Sequence, residues 1–214
     1  MISTRSAALH QRQWFIVRRW QEYDGEFKAN LLRIVAVGAF YAIELLRYYV
    51  LVGPGPEQLP FHQRATMIAV AWTMVALAVF VCLAQRIFPA GLKYVSTASD
   101  VALLTMLAAI AEGPRSPLVL VFSLIIALAA MRCSVGLIWF ATLSSMAGYW
   151  SLVGLEDARN SRWFDAQHAV PVVEQLLILL TLSLTGIVLG QVVRQAQFTA
   201  ADYARRLAAT ERAA

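Results

Sequence analysis

Charge is scarce in this chain. Asp, Glu, Lys and Arg make up 14% of its 214 residues, while hydrophobic residues reach 59%; a soluble domain carries about 25% charged residues. A soluble globular enzyme does not fit that balance, and a mean hydropathy of +0.61 excludes a disordered chain. Cysteine is rarer still, and 2 residues are too few for a disulfide-built scaffold. Cys82 and Cys133 read as small packing residues. Of the 3 histidines, none falls in the middle of an apolar run, which removes the usual ligand for a haem held inside a helical bundle. His62 and His168 are expected in outer loops as ordinary loop residues. No P-loop and no paired-histidine zinc-peptidase motif occurs. Ser144 and Ser145 lack the glycine-flanked setting of a serine nucleophile, and Glu44 with Arg47 offers one carboxylate where water activation needs two. The chain is therefore not expected to be an enzyme acting alone, and no cofactor or metal is implied.

What the sequence has in quantity is long apolar runs. A helix crossing a hydrocarbon core of about 30 Å needs roughly 20 mostly apolar residues. Six runs meet or approach that length: Leu31–Leu51, Ala65–Gln85, Tyr94–Ala111, Ser116–Met131, Cys133–Leu155 and Ala169–Val193. The fourth is short and must thin the bilayer or lean on neighbours. Only Arg132 parts the fourth from the fifth, which reads as a tight hairpin with Arg132 at its turn. Gly53-Pro54-Gly55-Pro56, Pro89 and Gly113-Pro114 punctuate the other runs. Because lipid leaves backbone groups no outside partner, the expected architecture is an all-α, polytopic helical bundle. The domain reading is a cytoplasmic amphipathic segment (1–30), a six-helix transmembrane domain (31–193) and a cytoplasmic juxtamembrane helix (194–214).

Basic residues set orientation. Arg5, Arg12, Arg18, Arg19, Lys28, Arg33, Arg86, Lys93, Arg132, Arg194, Arg205, Arg206 and Arg212 fall on one side, and only Arg47, Arg64, Arg115, Arg159 and Arg162 on the other. Both termini are thus expected in the cytoplasm of a bacterial inner membrane. The net charge of +5 then follows from topology and gives no cause to invoke nucleic acid. Trp14, Phe15, Trp20 and Tyr23 among Arg12, Arg18 and Arg19 suit a segment resting on the cytoplasmic leaflet, or an arm contacting a partner.

Ionisable groups within a span are costly and point to function by default. Tyr41, Glu44, Arg47 and Tyr48 share one face of the first helix, and Glu44 can pair with Arg47. If helices one and six are neighbours, Glu174 joins them near the outer leaflet. That cluster reads first as a staple of the bundle and second as the floor of an outward-facing pocket. Asp100 has no base in its own span. It is expected to be protonated or bonded to hydroxyls such as those of Ser144 and Ser145, with a proton relay as the sharper alternative. Beyond the last span, Val193, Ala196, Ala200, Tyr203, Leu207, Thr210 and Ala214 follow heptad spacing, which suits either a weak coiled coil or a helix lying on lipid.

Glu112-Gly113-Pro114-Arg115-Ser116-Pro117-Leu118 opens one span, and Met131-Arg132-Cys133-Ser134 turns into another that contains Trp139-Phe140-Ala141-Thr142. Gly190-Gln191-Val192-Val193-Arg194 closes the last. Over roughly residues 30–207 these short motifs resemble the N-terminal six-helix membrane regions of bacterial signalling proteins, which precede histidine kinase, class III nucleotide cyclase or Ser/Thr kinase domains. The resemblance implies a membrane sensor or regulatory anchor, homodimeric through its bundle and exit helix, that tunes a cytoplasmic kinase or cyclase. Residues up to Ala214 hold no such catalytic domain, so the output is expected downstream or in a separate partner. The competing expectation is a small transporter or channel subunit that uses Asp100 and the Glu44, Arg47, Glu174 cluster.

Overall fold

The computed structural model describes the backbone of residues 2–56, 58–85, 89, 91–160 and 170–213, and the side chains of these except 2–22, 159–160, 204–205 and 207–213. The side chains of Trp14, Phe15 and Trp20, of the arginines around them and of Leu207 and Thr210 fall outside that set, as do His168 and Ala214. Every regular element among the described residues is helical: α1 (Ile2–Leu46), α2 (Leu59–Ala84), α3 (Leu92–Ile110), α4 (Val121–Met131), α5 (Val135–Asn160) and α6 (Val172–Ala213).

The punctuation follows the residues. The end of α1 widens into a π turn over Arg47–Leu51, closed by Val52 N–H donating to Arg47 O at 3.1 Å. Gly53 then reverses the chain at φ 84, a backbone setting that glycine adopts without a Cβ clash. Pro60 sits in the first turn of α2, where its missing N–H costs nothing. Before α4, residues Pro117–Leu120 form a tight 3-10 turn, and the Ser116 hydroxyl accepts from Leu118 N–H at 3.3 Å. The α4–α5 hairpin turns at Arg132 as expected, with Cys133 at φ 49 completing the reversal. The division expected at residue 30 is not marked by any break, because α1 runs straight through it.

Four described stretches are long and apolar enough to cross a membrane: Tyr23–Leu51, Leu59–Ala84, Leu92–Ile110 and Val172–Tyr203. Their outer faces carry exposed large apolar side chains at helical spacing, such as Met67, Val70, Met74 and Leu77 on α2 and Val173, Leu177, Leu180 and Leu184 on α6. Water would not tolerate such continuous apolar faces, whereas lipid does. Pro117–Met131 is a shorter apolar helix. α5 has the length, but serines, glycines and aromatic residues dilute its hydropathy; one side of it packs against the other helices, while Trp139, Leu143 and Trp150 are exposed on the other. Leu137, Ile138, Ala141, Thr142, Ser145, Tyr149 and Leu152 are all buried on it.

α5 packs on α3, α4 and α6, while α1 packs on α2 and α4. Glycine permits two of these close contacts, as small residues do generally where helices meet in lipid. A Cβ on Gly148 would lie 2.7 Å from Thr105 Oγ1, and one on Gly186 would collide with the Thr142 side chain.

Candidate functional site

One face of α1 carries Glu26, Asn30 and Arg33, each a helical turn apart and each buried. This face meets Ser96 and Asp100 of α3, with α2 alongside. Arg33 Nη2 donates to Asp100 Oδ2 at 2.7 Å, and Arg33 Nη1 donates to Asn30 Oδ1 at 2.8 Å. The other carboxylate oxygen of Asp100 accepts from Trp72 Nε1 at 2.8 Å, while Asn30 Nδ2 donates to the Ala76 carbonyl of α2 at 3.1 Å.

A second buried pair lies one to two turns closer to the polar end of α1. Arg132 Nη2 sits 2.9 Å from Glu26 Oε1. Arg132 also donates to Thr97 Oγ1 at 2.7 Å, to Ser96 Oγ at 3.2 Å and to the Lys93 carbonyl at 3.2 Å. Gly25 makes this reach available, since a Cβ there would stand 3.1 Å from Met131 O and 3.3 Å from the Arg132 Cα. Burial draws the Arg132 guanidinium below its ordinary pKa and Glu26 opposes that; a guanidinium stays protonated regardless. Two carboxylates and two guanidiniums thus neutralise one another in a region shut off from water, where an unpaired charge would be very costly. Arg132 is continuous with Cys133, whose carbonyl accepts from Gln197 Nε2 of α6 at 2.8 Å. A chain of polar contacts therefore runs from α2 through α3 and α1 to the hairpin and on to the far part of α6.

At the opposite end of α1 and α2 lies a cavity of about 540 Å³. Its depths are apolar, formed by Val37, Phe40, Ile68 and Leu107, and its rim carries Glu44, Arg47, Gln58, Glu112 and Ser116. Trp72, at the middle of α2, forms the floor. The same indole that closes the cavity donates to Asp100.

The residues singled out from sequence are only partly brought together. Glu44 and Arg47 do pair, with Arg47 Nε 2.9 Å from Glu44 Oε2, and both line the cavity. Tyr41 lines it too, with its hydroxyl 3.1 Å from Thr66 Oγ1. Glu174 does not join them. α6 packs on α5 and α4 rather than on α1, and Glu174 is exposed, acting electrostatically on Tyr149 of α5. Asp100 is not a lone carboxyl, nor does it bond Ser144 or Ser145. The Ser144 hydroxyl donates to Phe140 O at 2.7 Å, and Ser145 Oγ has no partner. His62 is not in a loop. It lies in the first turns of α2, stacked on Tyr48 with centroids 4.1 Å apart, and its Nδ1 is 3.7 Å from Glu44 Oε1. Among the described residues no group of three or more His, Cys, Asp or Glu side chains could hold a metal ion. Cys82 is half-buried and Cys133 exposed, both as free thiols.

Four residues of this buried network were not singled out from the sequence as site residues: Glu26, Asn30, Arg33 and Trp72. Arg33 was counted as a topology marker, and Arg132 as a topology marker and the hairpin turn, neither as part of a buried ion pair. The spacing of Glu26, Asn30 and Arg33 on one helical face was the available signal. No known family, curated protein or solved structure matches this chain, so its function is argued from the side chains themselves.

Proposed function

We propose that this protein is a sensory or regulatory membrane anchor that couples the state of its α1–α2 cavity to the cytoplasmic end of α6. In this reading all six helices cross the bilayer, α4 with the help of its 3-10 extension, and both termini face the cytoplasm of a bacterial inner membrane. The observation that carries it is the bond from Gln197 to Cys133 O. It ties the polar extension of α6 to the hairpin whose Arg132 belongs to the buried charge network, and that network begins at the cavity floor. An occupant pressing on Trp72 bears on Asp100, then on Arg33. Through the shared α1 face it bears on Glu26 and Arg132. A ligand shifts such an arrangement only by its difference in affinity for two packings, and helix shifts of about 1–2 Å are the usual output of such devices. The α6 helix, unbroken from Val172 to Ala213, would deliver that shift to a kinase or cyclase domain, with a second copy of the chain supplying a dimeric output.

A transporter would use the same charges. Both oxygens of Asp100 are engaged, and the free space beside Arg33 and Asp100 is about 20 Å³, room for about one water. Those two facts favour regulation over a conducting path. The test joins α6 after Ala214 to a class III cyclase catalytic domain and, in parallel, measures proton flux in proteoliposomes. Gln197→Ala and Asp100→Asn are expected to alter cyclase output, with no proton flux from the parent protein. Proton flux that Asp100→Asn abolishes would replace this reading with transport.

A further inference from the structure

We infer that the cavity between α1 and α2 is a binding site for a small apolar organic cation. Its volume of about 540 Å³ lies within the range of about 300–1,000 Å³ typical of sites for drug-sized molecules. Its chemistry divides in two. The depths offer Phe40, Ile68, Leu107 and the Trp72 indole, surfaces suited to an aromatic or branched apolar body.

The rim selects the sign of the charge. Two carboxylates, Glu44 and Glu112, face one guanidinium, Arg47. That guanidinium is already engaged: its Nε is 2.9 Å from Glu44 Oε2, and its carbon lies 4.7 Å from the centre of the Phe61 ring. The second carboxylate oxygen of Glu44, buried in the wall, has no hydrogen-bond partner; the nearest base, His62 Nδ1, stands 3.7 Å away, beyond hydrogen-bond reach. A buried acceptor left in that state is costly, and a cation beside it relieves the cost where an anion adds to it. An anionic head would also stand against Glu112, and among the described lining residues the one basic side chain, Arg47, is already paired with Glu44. The π turn over Arg47–Leu51 lies at this rim, and such turns recur where helices are adapted to bind.

This inference names the ligand class for the regulatory reading above and rests on that reading only for its effect on α6. Binding is measured by itself, so the two can fail separately. The probes are tetraphenylphosphonium and tetraphenylborate, ions of nearly the same shape and opposite charge. Each is dialysed to equilibrium against the full chain in phosphatidylcholine nanodiscs, with empty nanodiscs subtracted. The expected result is saturable binding of the phosphonium, one per chain, and at least tenfold weaker specific binding of the borate. Ala69→Phe, which fills the cavity wall, should abolish it. Glu112→Gln, a change at an exposed residue that leaves the packed interior alone, should weaken the phosphonium about threefold to tenfold. Equal or tighter specific binding of the borate overturns the inference, as does phosphonium affinity unchanged by Glu112→Gln. The latter result decides even if the Ala69→Phe protein does not fold.

Discussion

Trp72 and Asp100 meet across 2.8 Å, indole N–H to carboxylate, where the cavity floor touches the buried charge network. The ring belongs to the cavity and the N–H belongs to the network, so a single side chain takes part in both.

Replacing Trp72 with Phe keeps an aromatic floor but strips one oxygen of Asp100 of its donor. A buried acceptor left unpaired costs about 1–3 kcal/mol. The variant should therefore melt earlier in detergent than the parent protein, while the cavity keeps its apolar depth.

The pair Arg33 and Asp100 should show strong coupling. Asp100→Leu or Arg33→Met alone leaves a buried charge uncompensated, at a cost of about 3–5 kcal/mol, whereas the double variant removes both charges and recovers most of that loss. Unfolding measured for the four proteins of the cycle checks this. Additive losses would mean that the two charges do not stabilise each other.

Helix contact between α5 and α6 depends on Gly186. A side chain there meets Thr142, so Gly186→Val should destabilise by about 1–3 kcal/mol through overpacking, and Thr142→Ala should restore part of it. Thermal unfolding of the single and double variants reads the outcome.

Cys133 reports on topology. It is exposed at the α4–α5 turn, on the side assigned to the cytoplasm. In a Cys82→Ala background, a membrane-impermeant maleimide should label it in inverted vesicles and not in right-side-out ones. The reverse pattern would invert the proposed orientation.

Helix positions were legible from apolar run length because hydrophobic thickness fixes it, and the hairpin turn at Arg132 followed from the one charge between two such runs. The Glu44–Arg47 pair was legible for a similar reason, since residues three apart share a helix face. Glu174 was misplaced because depth in the bilayer says how far along a helix a residue lies, not which helix stands beside it. Asp100 was taken as alone because its base is on another helix, 67 residues away in sequence. Arg33 had been assigned to topology, where each Lys or Arg counts the same whether it ends in solvent or in an ion pair. The cavity arises from three separate segments and leaves no local pattern.

The most direct measurement is a pulsed electron-spin distance between labels at Val95 on α3 and Tyr203 on α6, both exposed. Native cysteines are replaced by Cys82→Ala and Cys133→Asn, the latter tolerant of positive φ. Saturating tetraphenylphosphonium should displace the distance distribution by roughly 1–5 Å, and the displacement should vanish in both Trp72→Phe and Gln197→Ala. A distribution that stays unchanged while the phosphonium is bound would contradict the coupling of cavity to exit helix.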